Sequence, residues 1–170
     1  MSIDLNRRRA IAGIATSVGV LAAAGRAQEV AAQGQPPEKQ NDPRTSIHYD
    51  LEIAAPPQRL YSILLDQKLF SAFSGMPATI DPTPGGTFSM FGGMIVGRNV
   101  ELVANQRIVQ AWRPTSWDPG VYSMVHFELK QRAAGTAMAF DHTGFPVGDH
   151  NHLDWGWHHH YWDPLKKFLA

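Results

Sequence analysis

Between Gly135 and Leu169 the apolar residues change period once, and that change constrains the fold more than any other feature of the chain. From Gly135 the pattern alternates. Thr136, Met138, Phe140 and His142 fall on one face and Ala137, Ala139 and Asp141 on the other, the period of a half-buried strand. Beyond Gly144-Phe145-Pro146 the spacing becomes helical, with Leu153, Trp157, Tyr161 and Phe168 on one stripe beside Gly156 and Pro164. A last strand feeding a long aromatic helix needs a sheet for that helix to lie against. Closing over a curved sheet, the helix would enclose room for an apolar guest.

The preceding chain supplies such a sheet. Ser46 to Ala54 alternates Ile47, Tyr49, Leu51 and Ile53 against His48, Asp50 and Glu52. Ala55-Pro56-Pro57 ends that strand, and its prolines suit the first turn of a helix carrying Leu60, Ile63 and Leu64. Asp66 caps a second short helix, Gln67 to Phe73. Gly85-Gly86 and Gly92-Gly93 bracket a short strand, Thr87 to Phe91, and further strands follow over Met94 to Val103, Arg107 to Arg113 and Ser123 to Arg132. A strand, a helix pair, a run of antiparallel strands and a long helix make an α+β domain, with the last helix covering one face of the sheet.

The N-terminus stands apart from that domain. Arg7, Arg8 and Arg9 precede a weakly apolar run, Ala10 to Ala24, and then Gly25-Arg26-Ala27, a small-x-small cleavage pattern. This is the order of a signal peptide over residues 1–27, and the arginine run with a diluted apolar core fits the twin-arginine route. Fifteen apolar-run residues are short against the ~20 that a spanning helix needs, so no stable membrane span is expected after processing. Residues 28–44, rich in Gln, Pro and Ala, read as a disordered spacer. Of 15 basic and 15 acidic residues, cleavage after Ala27 removes four arginines and Asp4, leaving 11 against 14 and a formal charge of −3. With no basic stripe, nucleic acid is not an expected partner. The expected location is exported, periplasmic or secreted, and a chain without cysteine must then rest on its own core. Residues 45–170 suffice for one domain that buries roughly two-thirds of the unfolded surface.

Several short motifs add up in order along the chain: Ile53-x-Ala55-Pro56, Gly85-Gly86-x-Phe88, Gly97 in the next strand, Ile108-Val109-x-x-Trp112, Thr136-x-Met138-x-Phe140-x-His142-x-Gly144-Phe145, and Gly156-Trp157. Together they resemble the START-like (SRPBCC) superfamily. Within it they match the branch related to the activator of the ninety-kilodalton heat-shock protein's ATPase, which is often grouped with polyketide cyclases. The resemblance covers about residues 45–169. It implies a helix grip, a strongly bent antiparallel sheet wrapped around a long C-terminal helix with a cavity between them. Members of the superfamily bind lipids, steroids, polyketides or protein partners, so the reaction has to be argued from the site. The branch's co-chaperone activity needs a cytosolic chaperone and nucleotide, which an exported chain would not meet.

In a grip of this kind Phe88, Met90, Trp112, Met138, Phe140, His142, Trp157 and Tyr161 point inward and are the expected ligand-binding residues, with Phe70, Phe73 and Met76 behind them. Methionine and aromatic walls adapt to irregular apolar guests, although the same residues also suit a packed core. His142 is the foremost polar candidate. It could orient a carbonyl or move a proton near neutral pH, or it could be a structural histidine bonded to a loop carbonyl. Tyr161 is the second acid–base candidate, and His160 borders the same stripe.

His150, His152, His158, His159 and His160 invite a metal reading. On a regular helix the run 158–160 sends its rings in three directions, and no His–His pair stands three or four apart. No metal is therefore expected, and His159 with Asp163, like Asp154 with His158, is the nearest workable pair. Trp155 and Trp162 fall opposite Trp157 on such a helix, an outward face suited to a homodimer or a partner. There is no Gly-rich phosphate loop, Gly-x-Ser-x-Gly elbow or cysteine nucleophile, and no cofactor is implied. The expectation is an exported domain that holds a small hydrophobic or aromatic molecule. A cyclase- or isomerase-type enzyme in the same cavity and a protein-interaction module are the alternatives.

Overall fold

The computed structural model describes Pro37 and residues 41–170. The signal peptide expected from Arg7, Arg8, Arg9 and Ala27, and most of the spacer, lie outside the described residues. β1 (Ser46–Ile53) is followed by α1 (Pro57–Leu65) and α2 (Gln67–Ser74). Then come β2 (Thr79–Ile80), β3 (Thr87–Met90), β4 (Ile95–Val103), β5 (Arg107–Pro114), β6 (Ser123–Arg132) and β7 (Gly135–Thr143). The chain closes in one long helix of three stretches: α3 (His150–Gly156), a π-helical turn (Trp157–Trp162) and α4 (Asp163–Leu169).

The strands form one antiparallel sheet in the order β1-β7-β6-β5-β4-β3-β2. Alternation decides which face is covered. In β5, Ile108, Gln110 and Trp112 are buried; in β6, Ser123, Val125, Phe127 and Leu129; in β7, Thr136, Met138, Phe140 and His142. Register joins them into rows, with Phe127 between Ile108 and Phe140, and Val125 between Gln110 and His142. The opposite face carries charge, including Arg107 bonded to Glu101 and Glu128 and His48 paired with Asp141.

Two devices bend the sheet. A Cβ at Gly97 would lie 2.0 Å from the Ala111 carbonyl oxygen and 2.5 Å from the Phe88 ring, so only glycine lets β4 come this close while Phe88 crosses it. Two positions on, the register slips between Asn99 and Glu101, leaving Val100 as the extra residue of a bulge, which sharpens twist and bend. Asn99 beside that bulge is fully buried and belongs to a chain of hydrogen bonds. The Trp112 indole N–H donates to Gln110 Oε1 (2.9 Å), Gln110 Nε2 donates to Asn99 Oδ1 (2.9 Å), and Asn99 Nδ2 donates to the Asp81 carbonyl (2.8 Å). Buried amides linked this way are satisfied and hold Trp112 in one orientation.

The helix pair after β1 follows the sequence closely. Pro57 occupies the first turn of α1, and Asp66 accepts hydrogen bonds from the backbone N–H groups of Lys68 and Leu69 at the start of α2. The C-terminal helix departs from expectation. Over Trp157–Trp162 it widens to the i→i+5 pattern, so the 100° step used to place side chains does not apply there. Trp162 therefore turns inward rather than outward. It is 1% exposed, packed on Phe140 and Tyr49, and its ring lies 5.4 Å from Trp157 in a near-parallel stack. Among the described residues no helix is long and apolar enough to cross a membrane.

Candidate functional site

One end of the grip is left unfilled. A cavity of about 340 Å³ lies between the single 3₁₀ turn Phe91–Gly93 with the start of β4, the end of β5, and the first turns of the C-terminal helix. Phe91, Met94, Trp112, Trp157 and Tyr161 supply apolar wall, and Gly156 supplies an absence: a Cβ built there meets nothing within 4 Å. The polar groups facing the space are Thr115 and Ser116, just beyond β5, and His152 and His160 on the helix. An apolar interior with a few polar groups is the usual make-up of a small-molecule site.

Trp112 and Trp157 form the deep wall as a stacked pair, 4.8 Å between centroids and 28° between planes. Each indole is anchored from behind. Trp112 donates into the Gln110–Asn99 chain, and Trp157 Nε1 donates to His142 Nδ1 at 3.0 Å. Because His142 Nδ1 is an acceptor, its proton sits on Nε2, which faces Ser123 Oγ at 2.7 Å; Ser123 in turn donates to the Trp112 carbonyl at 3.3 Å. Burial pushes the His142 imidazole down to about 3, so it is neutral at physiological pH.

His142 thus positions Trp157 and does not reach the cavity. Of the eight residues expected to touch a ligand, Trp112, Trp157 and Tyr161 line the cavity. Phe88, Met90, Met138, Phe140 and His142 are all less than 5% exposed and fill the core between sheet and helix. The Tyr161 ring is buried against Phe70, Phe73 and Phe127, and burial raises its phenol far above the ordinary range, which keeps it protonated.

The outward tryptophan face is corrected as well. Trp162 is core, and Trp155 is half-buried at the cavity, stacked on His159 at 4.2 Å. Trp162 therefore offers a partner no surface, and Trp155 only part of its ring. His159 Nδ1 bonds the Trp155 carbonyl at 2.9 Å, and among the described residues no three His, Cys, Asp or Glu groups gather as a ligand set. Asp154, instead of pairing with His158, accepts a hydrogen bond from the Tyr49 hydroxyl.

Sequence reasoning passed over Met94, Thr115, Ser116 and His152 as cavity residues. Met94, Thr115 and Ser116 lie just outside strands, where periodicity assigns no face, and His152 stands one position off the Leu153–Trp157 stripe. Gly156 was the available signal, a side-chain-free position within an aromatic helical stripe.

A family model described as activator of Hsp90 ATPase homolog 1-like protein matches residues 54–170. The chain belongs to that family. The mouse activator of 90 kDa heat shock protein ATPase homolog 2 is 30% identical over 127 residues, 75% of this chain and 38% of the relative. The chain spans about a third of the length of the curated relatives it matches. Among solved structures, an HSP90 activator from Plasmodium falciparum aligns with a TM-score of 0.68 at 26% identity, covering 74% of this chain and 96% of that one. The Aha1 dimer from Colwellia psychrerythraea aligns at 0.59 with 18% identity, over 74% and 96%. The helix grip inferred from the motifs is therefore the fold of this family.

Proposed function

We propose that this domain binds a small hydrophobic or aromatic molecule in the cavity walled by Trp112 and Trp157, and that it does so after export. The observation that carries the reading is the unfilled space itself. Its two largest walls are tryptophans fixed by hydrogen bonds from behind, so they stay in place when no ligand is present and need little ordering on binding. A two-ring aromatic burying about 250 Å² of apolar surface would gain roughly 6 kcal/mol before the cost of immobilising it. The relatives' names speak of activating a chaperone ATPase. An exported domain would not meet that partner, which favours ligand holding over chaperone activation for this chain.

The test uses Gly156. A Cβ at Gly156 meets nothing within 4 Å, so Gly156→Leu starts a side chain in open space at the cavity wall. Binding of the neutral fluorophore N-phenyl-1-naphthylamine to the wild-type protein, weakened at least about tenfold in Gly156→Leu with an unreduced melting temperature, is the expected outcome. Equal binding by the two proteins would remove this cavity as the site.

A further inference from the structure

The eight histidines of the chain divide by what they face. His48 faces Asp141 and Asp50, His126 faces Glu128, and His150 lies 3.9 Å from Asp42. His142 is hydrogen-bonded on both nitrogens, His159 bonds the Trp155 carbonyl, and His158 packs against the Tyr49 ring. His152 and His160 differ. Both line the cavity, neither has a hydrogen-bonding or ionic partner among the described residues, and no carboxylate lines that space. Thr115 and Ser116 add two hydroxyls to the lining.

We propose that the ligand is an amphipathic organic acid, an apolar or aromatic body against Trp112 and Trp157 with its acidic group on the helix side of the cavity, where His152 and His160 face it. This rests on the cavity being the binding site and names the chemistry it selects. An imidazole pair without a counter-charge at the rim of an apolar space supplies charge-assisted donors to a carboxylate, sulfonate or phosphate oxygen. Ser116 supplies a further donor, whereas the Thr115 hydroxyl already donates to the Met94 carbonyl.

The surroundings of the pair agree. The His160 imidazole is held below its ordinary value first by burial and then by His159 and His152, an unrelieved like-charge cluster that an anion would relieve. The Phe91 turn and the Pro114–Ser116 end of β5, which complete the wall, bring no ionisable side chain. Arg113 is engaged elsewhere, on the Trp117 carbonyl and the Tyr122 ring. Asp163 and Lys167 border a separate depression beside His159. Tyr161 is the other titratable lining group and stays neutral. An anion binds the protonated imidazoles more tightly, so its affinity rises as pH falls through the histidine range, whereas a neutral ligand of the same shape shows no such trend.

Two probes with the same rings separate this from the cavity reading: neutral N-phenyl-1-naphthylamine and its sulfonated analogue, 1-anilinonaphthalene-8-sulfonate. The sulfonate is expected to bind roughly three- to tenfold tighter at about pH 6 than at about pH 8. His152→Gln/His160→Gln, substitutions at exposed positions of the wall, should remove that gain, so that the sulfonate binds alike at the two pH values. Gly156→Leu should abolish both signals. A neutral probe that binds while the sulfonate does not, or a sulfonate affinity indifferent to pH and to the histidine pair, overturns the acidic head and leaves the cavity standing. Sulfonate fluorescence that persists in Gly156→Leu arises off the site and also counts against it. Failure of both probes removes the cavity reading and this inference together.

Discussion

Replacing His142 should flatten part of the acid sensitivity of this protein, by an amount that follows from its burial. The imidazole is fully buried, receives the Trp157 indole N–H, and is pushed from an ordinary 6.5 down to about 3. A group whose proton affinity is depressed on folding contributes stability that is complete above its unfolded value and drains away as pH falls towards the folded one. The window is therefore from about 6.5 down to about 3. Between about pH 7.5 and about pH 5 the unfolded chain takes up a proton at this site and the native state does not. At 1.36 kcal/mol per pH unit over about 1.5 units, the wild-type protein loses about 2 kcal/mol through His142. Other groups titrate in the same window. His48, raised by Asp141 and Asp50, gains stability as pH falls, and His160 loses it. Both are common to the wild type and to His142→Gln, so the difference between the two proteins isolates the site. Urea unfolding at the two pH values should show the variant less stable at about pH 7.5 and the gap narrowed by about 2 kcal/mol at about pH 5. A gap that is the same at both values would mean that His142 is not a neutral, buried anchor, and the account of how Trp157 is held would fail with it.

Two further outcomes follow from packing. Gly97→Ala forces a Cβ against the Ala111 carbonyl and the Phe88 ring, and should cost about 3 kcal/mol in urea unfolding; an unchanged midpoint would show that Gly97 does not set the approach of β4. Trp162→Ser should lower the melting temperature through loss of about 3–5 kcal/mol of core, with no change of oligomer mass before unfolding; a halved mass with intact stability would restore the outward face.

Most of the architecture could be read along the chain because one-sided sheets write their buried face as alternation. Ile47 to Ile53, Ser123 to Leu129 and Thr136 to His142 each show the period they adopt, and Asp66 marks the second helix by the cap it makes. β2 is two residues long, too short to show any period. The helix was legible to Trp157 and then misleading. A regular 3.6-residue repeat places Trp162 outside, and the widened turn that brings it inside depends on Tyr49, Phe140 and Trp157 meeting it across the fold. The cavity was legible as an expectation of the grip, but its location was not. Inward-pointing residues are the same set for a filled and an unfilled interior. The core volume of Phe88, Met90, Met138 and Phe140 closes the centre, and the cavity lies to one side, where Gly156 contributes no side chain to its wall. His142 showed its face correctly and its partners not at all, since the Trp157 indole and Ser123 reach it from other elements.

The pairing of β1 with β7 joins the first strand of the domain to the last along its whole length, from Ser46 opposite Thr143 to Ile53 opposite Thr136. Ribosomes extend chains at about 5–20 residues per second, so the earliest strand waits several seconds before its neighbour has been synthesised. During that interval its backbone amides stay open to water, chaperones or another nascent copy. Topologies closed by such distant contacts also cross slower barriers, commonly milliseconds to seconds, than those built from local ones. The sheet is consequently completed only once residue 143 has been made, and truncation anywhere before it leaves β1 without its full neighbour.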